Sequence, residues 1–358
     1  MKKIFVNLCV LALIAGAASC KKETSETEPD STPTPDPPEN IVYPKYHEGQ
    51  YVPIMKVNTV TENGVLSEEW TWDGDKLDYI TFSGEQSGTA RFHYEGDYIS
   101  SVKGGAGRQD LYYTYEGGKM IRMELVEGDN LMMQADLTHD GDNEKINGAA
   151  ITMDEEYLQS IIGAMTGFGK KGTRQAPTSL KALLRSARTA PKNDSPKFEV
   201  TDNTITLSYT WDGENVATQV LNASVDGKLS QEEYEALSDY LPIPDEYRRI
   251  ADILVAAQGG LPLRITMHDT VTYTYDNRIN PMFCFWGTML SADILSLNNI
   301  LTATTTGSYS VAAVIMGQEI NLLNNPMDDY EEYNYEYNSK YYPTKVTIGE
   351  TETGYTYK

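Results

Sequence analysis

Trp70-Thr71-Trp72-Asp73-Gly74 decides how the rest of the chain is read, because the same five-residue phrase returns as Phe92-His93-Tyr94-Glu95-Gly96 and as Tyr113-Thr114-Tyr115-Glu116-Gly117. Two aromatics at i and i+2 fall on one face of a strand, and an acid followed by glycine supplies a tight turn. The acidic turns lie 21 to 22 residues apart, and a fourth, Thr138-His139-Asp140-Gly141, comes about 24 further on. Later copies are Tyr209-Thr210-Trp211-Asp212-Gly213, Tyr273-Thr274-Tyr275-Asp276-Asn277 and Tyr335-Glu336-Tyr337-Asn338. Each unit reads as a strand, a turn and a returning strand of alternating apolar residues, with Ile80, Phe82, Ile121 and Met123 as cross-strand partners. Serial hairpins with short links predict a mainly β fold, an antiparallel up-and-down meander that forms a curved sheet or a barrel to hide its edges.

Composition narrows the function. The 358 residues carry 29 Lys+Arg against 52 Asp+Glu, a formal charge of −23. A polyanion binder needs clustered cations to release counterions, so nucleic acid is not an expected partner. Apolar residues are 40% and charged residues 23%, which fits neither wholesale disorder nor a protein of many membrane helices. The 25 Tyr against 7 Phe suit half-wet sheet surfaces.

Residues 1–19 read as a signal peptide: Lys2 and Lys3, an apolar run from Ile4 to Ile14, then Ala15-Gly16-Ala17-Ala18-Ser19-Cys20. The apolar run is too short to cross a bilayer of about 30 Å. A cysteine closing the small-residue stretch predicts a bacterial lipoprotein in which Cys20 becomes the acylated first residue. Cleavage at an Ala-x-Ala site, leaving Cys20 unmodified, is the alternative. Removing Lys2 and Lys3 takes the formal charge from −23 to −25. With Cys9 in the signal and Cys20 acylated, only Cys284 remains and no disulfide is expected. Residues 20–44, rich in proline and acids, read as an extended tether with a reach on the order of 60 Å. The expected setting is the outer membrane, lipid-anchored and exposed at the cell surface.

A single β domain is expected over 45–358, interrupted twice by helix. Residues 153–166 carry apolar residues at helical spacing and lead into a basic stretch to Lys197, which reads as a solvated insertion. Residues 230–260 read as a helical pair: Ser230 and Glu233 form a capping box, and Pro244 opens a second helix with a stripe of Ile250, Ile253, Leu254 and Ala257, stopped at Gly259-Gly260. Asn280 to Leu297 reads as an irregular or helical plug.

The Tyr-x-Tyr-Asp hairpins, together with Tyr273-Thr274-Tyr275-Asp276-Asn277-Arg278-Ile279-Asn280-Pro281, Ser296-Leu297-Asn298-Asn299-Ile300 and Tyr335 to Val346, resemble a Bacteroidetes lipoprotein family of unknown function with a porin-like fold. The resemblance spans about Tyr51 to the C-terminus and implies a curved antiparallel sheet or barrel; it brings no catalytic residue. Met153 to Pro262 departs from it. A membrane-embedded barrel needs a lipid-facing apolar band. Here Glu, Asp and Lys occur throughout the hairpins and the chain ends Tyr357-Lys358, so a body outside the bilayer is expected.

Catalytic signals are sparse. His47, His93, His139 and His268 show no metal-ligand spacing, and no nucleophile elbow, Walker loop or dinucleotide fingerprint occurs. No cofactor is expected. Asn222, Ser224, Asp226 and Glu233 match part of a calcium-loop spacing, and a strand followed by an Asp-Gly turn and a capped helix explains the same letters. Trp70, Trp72, Tyr94, Tyr113, Tyr115 and Trp211 are candidates for a face that stacks on a glycan or peptide; packing in the core is the competing reading. The sequence thus points to a non-enzymatic binding or scaffolding module for glycan or protein, with an exported hydrolase of polysaccharide or protein as the alternative.

Overall fold

The computed structural model describes residues 46–47, 50–51, 53–84, 87–104, 109–141, 145–159, 198–238, 241–285 and 288–358. The signal peptide, the tether, Cys20 and the basic stretch lie outside them. A two-residue ribbon, β1 (Tyr46–His47) with β2 (Gln50–Tyr51), precedes the main sheet. The meander then runs through β3 (Val57–Glu62), β4 (Val65–Asp73), β5 (Lys76–Phe82), β6 (Gly88–Glu95), β7 (Tyr98–Gly104), β8 (Gln109–Glu116), β9 (Lys119–Glu127), β10 (Asn130–His139) and β11 (Ile146–Met153). Four longer strands follow, β12 (Phe198–Asp212), β13 (Asn215–Ser230), β14 (Gly260–Tyr275) and β15 (Ile300–Ile315), and then β16 (Gln318–Pro326), β17 (Asp329–Tyr337), β18 (Pro343–Ile348) and β19 (Thr351–Tyr357).

Every neighbouring pair is antiparallel, and the last strand returns to the first, with Tyr355 opposite Val60. The sheet is therefore a closed barrel, which removes its edges. β16 and β17 lie end to end along β15 in one register, Ser308 opposite Pro326 and Thr305 opposite Asp329. They act as one strand interrupted at Met327–Asp328, so the ring among the described residues has sixteen positions.

The phrase read from the sequence has a specific geometry. Asp73 pairs with Lys76 across a two-residue turn headed by Gly74 at φ +57°, a backbone region that favours glycine. The register shifts just before the second aromatic: at Thr71/Trp72, His93/Tyr94, Thr114/Tyr115, Thr138/His139, Thr210/Trp211 and Thr274/Tyr275. The returning strand carries one extra residue there. Strict alternation fails as a result, and the buried positions fall three apart: Leu77 and Ile80, Ile99 and Val102, Met120 and Met123. Ile121, expected to face an aromatic, is the extra residue of its bulge. A bulge adds local twist, and its repetition at one end of the strands helps the sheet curl shut.

The wall is apolar inside and polar outside. Along β14, Leu261, Leu263, Ile265, Met267, Val271 and Tyr273 are buried, while Arg264, Thr266, His268, Thr270, Thr272 and Thr274 face out. Outer hydroxyls pair across strands, Thr210 with Thr218 at 2.6 Å, Thr266 with Ser310 at 2.7 Å and Thr274 with Thr302 at 2.6 Å. Barrels of this strand number ordinarily leave a water-filled channel. Here the described residues of the link between β14 and β15, 276–285 and 288–299, fold back as the plug the sequence predicts, with a 3-10 turn (Pro281–Phe285) and α3 (Ala292–Leu295).

At the opposite end the β13–β14 link forms the predicted helical pair, α1 (Gln231–Leu237) and α2 (Asp245–Gln258). Ser230 Oγ accepts from the Glu233 amide at 3.3 Å, and Gly259 at φ +74° ends α2. The packed face of α2 is centred on Ala251 and Val255; Ile253 is 58% exposed and Ala257 is exposed, so the expected stripe is rotated toward its neighbours. Of the helix expected over 153–166, residues 155–159 are described and helical.

Candidate functional site

The aromatic phrases build a repeating clamp between hairpins. Trp72 Nε1 donates to the Val57 carbonyl at 2.8 Å, Tyr94 Oη to Leu77 at 3.0 Å, Trp211 Nε1 to Ile146 at 2.9 Å and Tyr275 Oη to Val216 at 2.7 Å. His139 takes the same place, with Nε2 2.8 Å from the Met120 carbonyl. Just before four of the accepting residues, lysines reach forward: Lys56 Nζ donates to the Gly74 carbonyl, Lys76 to Gly96 at 2.6 Å, Lys119 to Gly141 at 2.6 Å and Lys145 to Gly213 at 2.6 Å. Those four turns are thus tied to the hairpin before them.

The first aromatic of four of the phrases meets the plug instead. Trp70 is 2% exposed, with its ring 5.0 Å from Phe285, and Phe92 lies 5.7 Å from the same ring. Tyr113 and Tyr209 donate to the Thr288 and Leu290 carbonyls at 3.0 and 2.7 Å. Tyr115 packs on Tyr98 at 4.7 Å. All six aromatics named as glycan candidates are therefore engaged with the wall or the plug. Polar groups seat the plug itself. Asp276 accepts from the Arg278 and Asn299 amides, Asn280 Nδ2 donates to the Ser296 carbonyl, and Ser296 Oγ accepts from the Val216 amide.

The calcium-loop letters take no loop form. Strand β13 runs straight through Asp226-Gly227, which make no turn, and places Asn222, Ser224 and Asp226 in a row on the outer face. The Arg264 guanidinium holds Asp226 at 2.7 and 2.8 Å and keeps its carboxyl below the usual range. Among the described residues no group of three or more His, Cys, Asp or Glu could hold a metal ion.

A polar layer inside the wall, which the sequence reading did not single out, has the properties of a site. Asp269 interrupts the inward apolar row of β14, opposite Leu221 and Gly307, and is 4% exposed. Gly307 makes room for it: a Cβ there would lie 2.8 Å from Asp269 Oδ1. The next inward residue of β15 is Thr305, also 4% exposed and opposite Asp329. Neither Asp269 Oδ1 nor Thr305 Oγ1 has a hydrogen-bond partner. Around them, Tyr273 Oη donates to Gln219 at 3.3 Å, Tyr333 Oη to Glu331 at 2.9 Å, and Asn325 Nδ2 to Tyr309 Oη at 2.6 Å.

The layer continues around the ring. Glu68, which accepts from Trp70 Nε1 at 2.8 Å, and the tyrosines 333, 335 and 355 share the inward face of their strands and stay partly exposed. Asp293 on α3 lies close enough for its charge to act on Tyr273, Tyr333, Tyr335 and Tyr355. Burial pushes both Asp269 and Glu68 up to about 7, because desolvation disfavours the charged form. Burial also drives Tyr273, Tyr333 and Tyr335 far above the ordinary tyrosine range, so these hydroxyls stay neutral. The ion pairs of the wall, Arg91–Asp78, Arg122–Asp136 and Arg264–Asp226, stand outside. One sequence signal was available, the single acid in the run Leu261-x-Leu-x-Ile-x-Met-x-Asp269-x-Val-x-Tyr273.

No family model matches the chain, and no curated protein is similar to it. Among solved structures it is similar to a porin-like protein from Bacteroides vulgatus, at 10% identity and a TM-score of 0.32, over 85% of this chain and 99% of that one. A likeness at that score leaves the barrel's role to its own geometry.

Proposed function

We propose that the protein is a lipoprotein of the bacterial outer membrane, fastened through Cys20, whose barrel stands outside the bilayer and serves as a non-enzymatic binding or scaffolding module at the cell surface. One observation carries this reading: the wall is inverted relative to a membrane pore. A transmembrane barrel turns an apolar band to lipid and a polar lining to its lumen, whereas β12 to β15 turn Thr, Ser, Asn, Asp and Arg outward and Leu, Ile, Val and Met inward. The plug then lodges Phe285, Leu290, Ile294 and Leu295, all buried, inside the ring. With the six aromatics tied to the wall and plug, binding falls to the interior polar layer rather than to an aromatic face.

Two measurements test it. Radiolabelled palmitate should enter the wild-type chain and not Cys20→Ala, and the full chain added to planar bilayers should give no conductance. Label in Cys20→Ala overturns the anchor; a stable conducting pore overturns the extramembrane barrel.

A further inference from the structure

The layer holding Asp269 and Thr305 presents a chemical problem that the wall does not solve. A buried carboxylate without a counter-charge is expensive, and an unpaired buried acceptor or hydroxyl adds about 1–3 kcal/mol. Asp269 Oδ1 and Thr305 Oγ1 are both unpaired, on adjacent strands, at adjoining inward positions. Nearby, Glu331 is 7% exposed and accepts from the Tyr333 hydroxyl, and Asp329 stands opposite Thr305. Gly307 lets the Asp269 carboxylate take its place against β15, since a Cβ there would lie 2.8 Å from Oδ1. The remaining surface is tyrosine, from Tyr309 and Tyr273 beside the recess to Tyr333 and Tyr335 along β17.

We propose that this recess binds a small organic cation, an ammonium or guanidinium group whose N–H donors reach the Asp269 carboxylate and the Thr305 hydroxyl while its apolar part lies against the tyrosines. The inference rests on the reading of the barrel as a binding module and names its ligand class. Positive charge offsets the Asp269 carboxylate, N–H donors reach the unpaired Asp269 and Thr305 oxygens, and tyrosine faces attract cations. A metal ion fits less well, since the layer brings together no three ligating side chains among the described residues. A neutral sugar leaves the charge uncompensated.

Saturation-transfer NMR on the full chain in a mild nonionic detergent, at pH 8, provides the test. The probes are n-propylammonium chloride and, as its neutral counterpart, n-propanol. Propylammonium should bind, at least tenfold more weakly to Asp269→Asn and several-fold more weakly to Thr305→Val, with no transfer to propanol. Asp269→Asn keeps the shape of the side chain, and thermal melts of both variants establish that each is folded. Equal transfer to propanol, propylammonium binding that neither substitution weakens, or no transfer to propylammonium overturns the proposal; in the last case ordered water is enough to satisfy the recess. None of these outcomes bears on acylation or bilayer conductance, which fail separately.

Discussion

Residues 57–153 and residues 198–337 build one wall in two ways. The first stretch uses strands of 6 to 10 residues, tied turn to turn by the aromatic and lysine clamps, with buried inward side chains that are mostly apolar and Glu68 partly exposed near its start. The second opens with four strands of 15 or 16 residues and closes with two of nine, and there a link swells into the plug while Asp269, Thr305 and Glu331 break the inward row. The repeat supplies closure cheaply, since each hairpin is held by its neighbour. Departures from the repeat put chemistry inside the ring, where a uniform repeat would leave only a dry core.

The largest expected effect breaks the contact between the two regions. Phe285 comes from the long-strand region and packs on Trp70 and Phe92 of the repeat region. Phe285→Ala should lose about 3–5 kcal/mol of stability by urea denaturation. A loss below about 1 kcal/mol would mean that the plug does not brace the ring.

Next in size is the carboxylate of the long-strand region. With its value raised from 3.8 to about 7, Asp269 is protonated in the folded chain and ionised in the unfolded chain across that interval. Stability is therefore full below about pH 4, falls as pH rises toward 7, and stays low above it, by at most about 4 kcal/mol. Glu68, raised from 4.5 to about 7, acts in the same direction. Asp269→Asn should accordingly raise the melting temperature at pH 8 and leave it nearly unchanged at pH 4. A variant that is less stable than wild type at pH 8 contradicts the buried, unpaired assignment.

Smaller effects sharpen the account of the repeat. Trp72→Phe removes the donor to the Val57 carbonyl and keeps most of the packing, for a loss of about 1 kcal/mol. Lys76→Met, which removes an exposed bond to the Gly96 carbonyl, should cost no more than about 0.5 kcal/mol. If the lysine substitution proves the more damaging of the two, the clamp depends on its charged arm rather than on its aromatic.

Much of the wall was legible because hairpins are local. Trp70-Thr71-Trp72-Asp73-Gly74 and its copies contain their own turn, and the helical pair carries its own cap in Ser230 and stop in Gly259. The bulge was less legible, although Leu77-x-x-Ile80 and Met120-x-x-Met123 record it as apolar spacing of three; one extra residue inverts the faces after each turn. Asp226-Gly227 misleads as a turn because partners on both sides, Asp202 and Arg264, hold β13 extended. The polar layer was harder to read from β17: Tyr333, Tyr335 and Tyr337 share a face, but Asp329-Tyr330-Glu331-Glu332 carries no apolar alternation to show that Glu331 points inward.

The amino-acid order by itself determined the hairpins, the antiparallel meander, the two helices and the existence of a plug, since each is set by contacts within a few residues of its own signal. Closure, the inward direction of Asp269, Thr305 and Glu331, and the lodging of Phe285 between Trp70 and Phe92 were decided only by the tertiary structure. They depend on the accumulated twist of sixteen paired strand positions and on which residues that twist brings face to face across the ring.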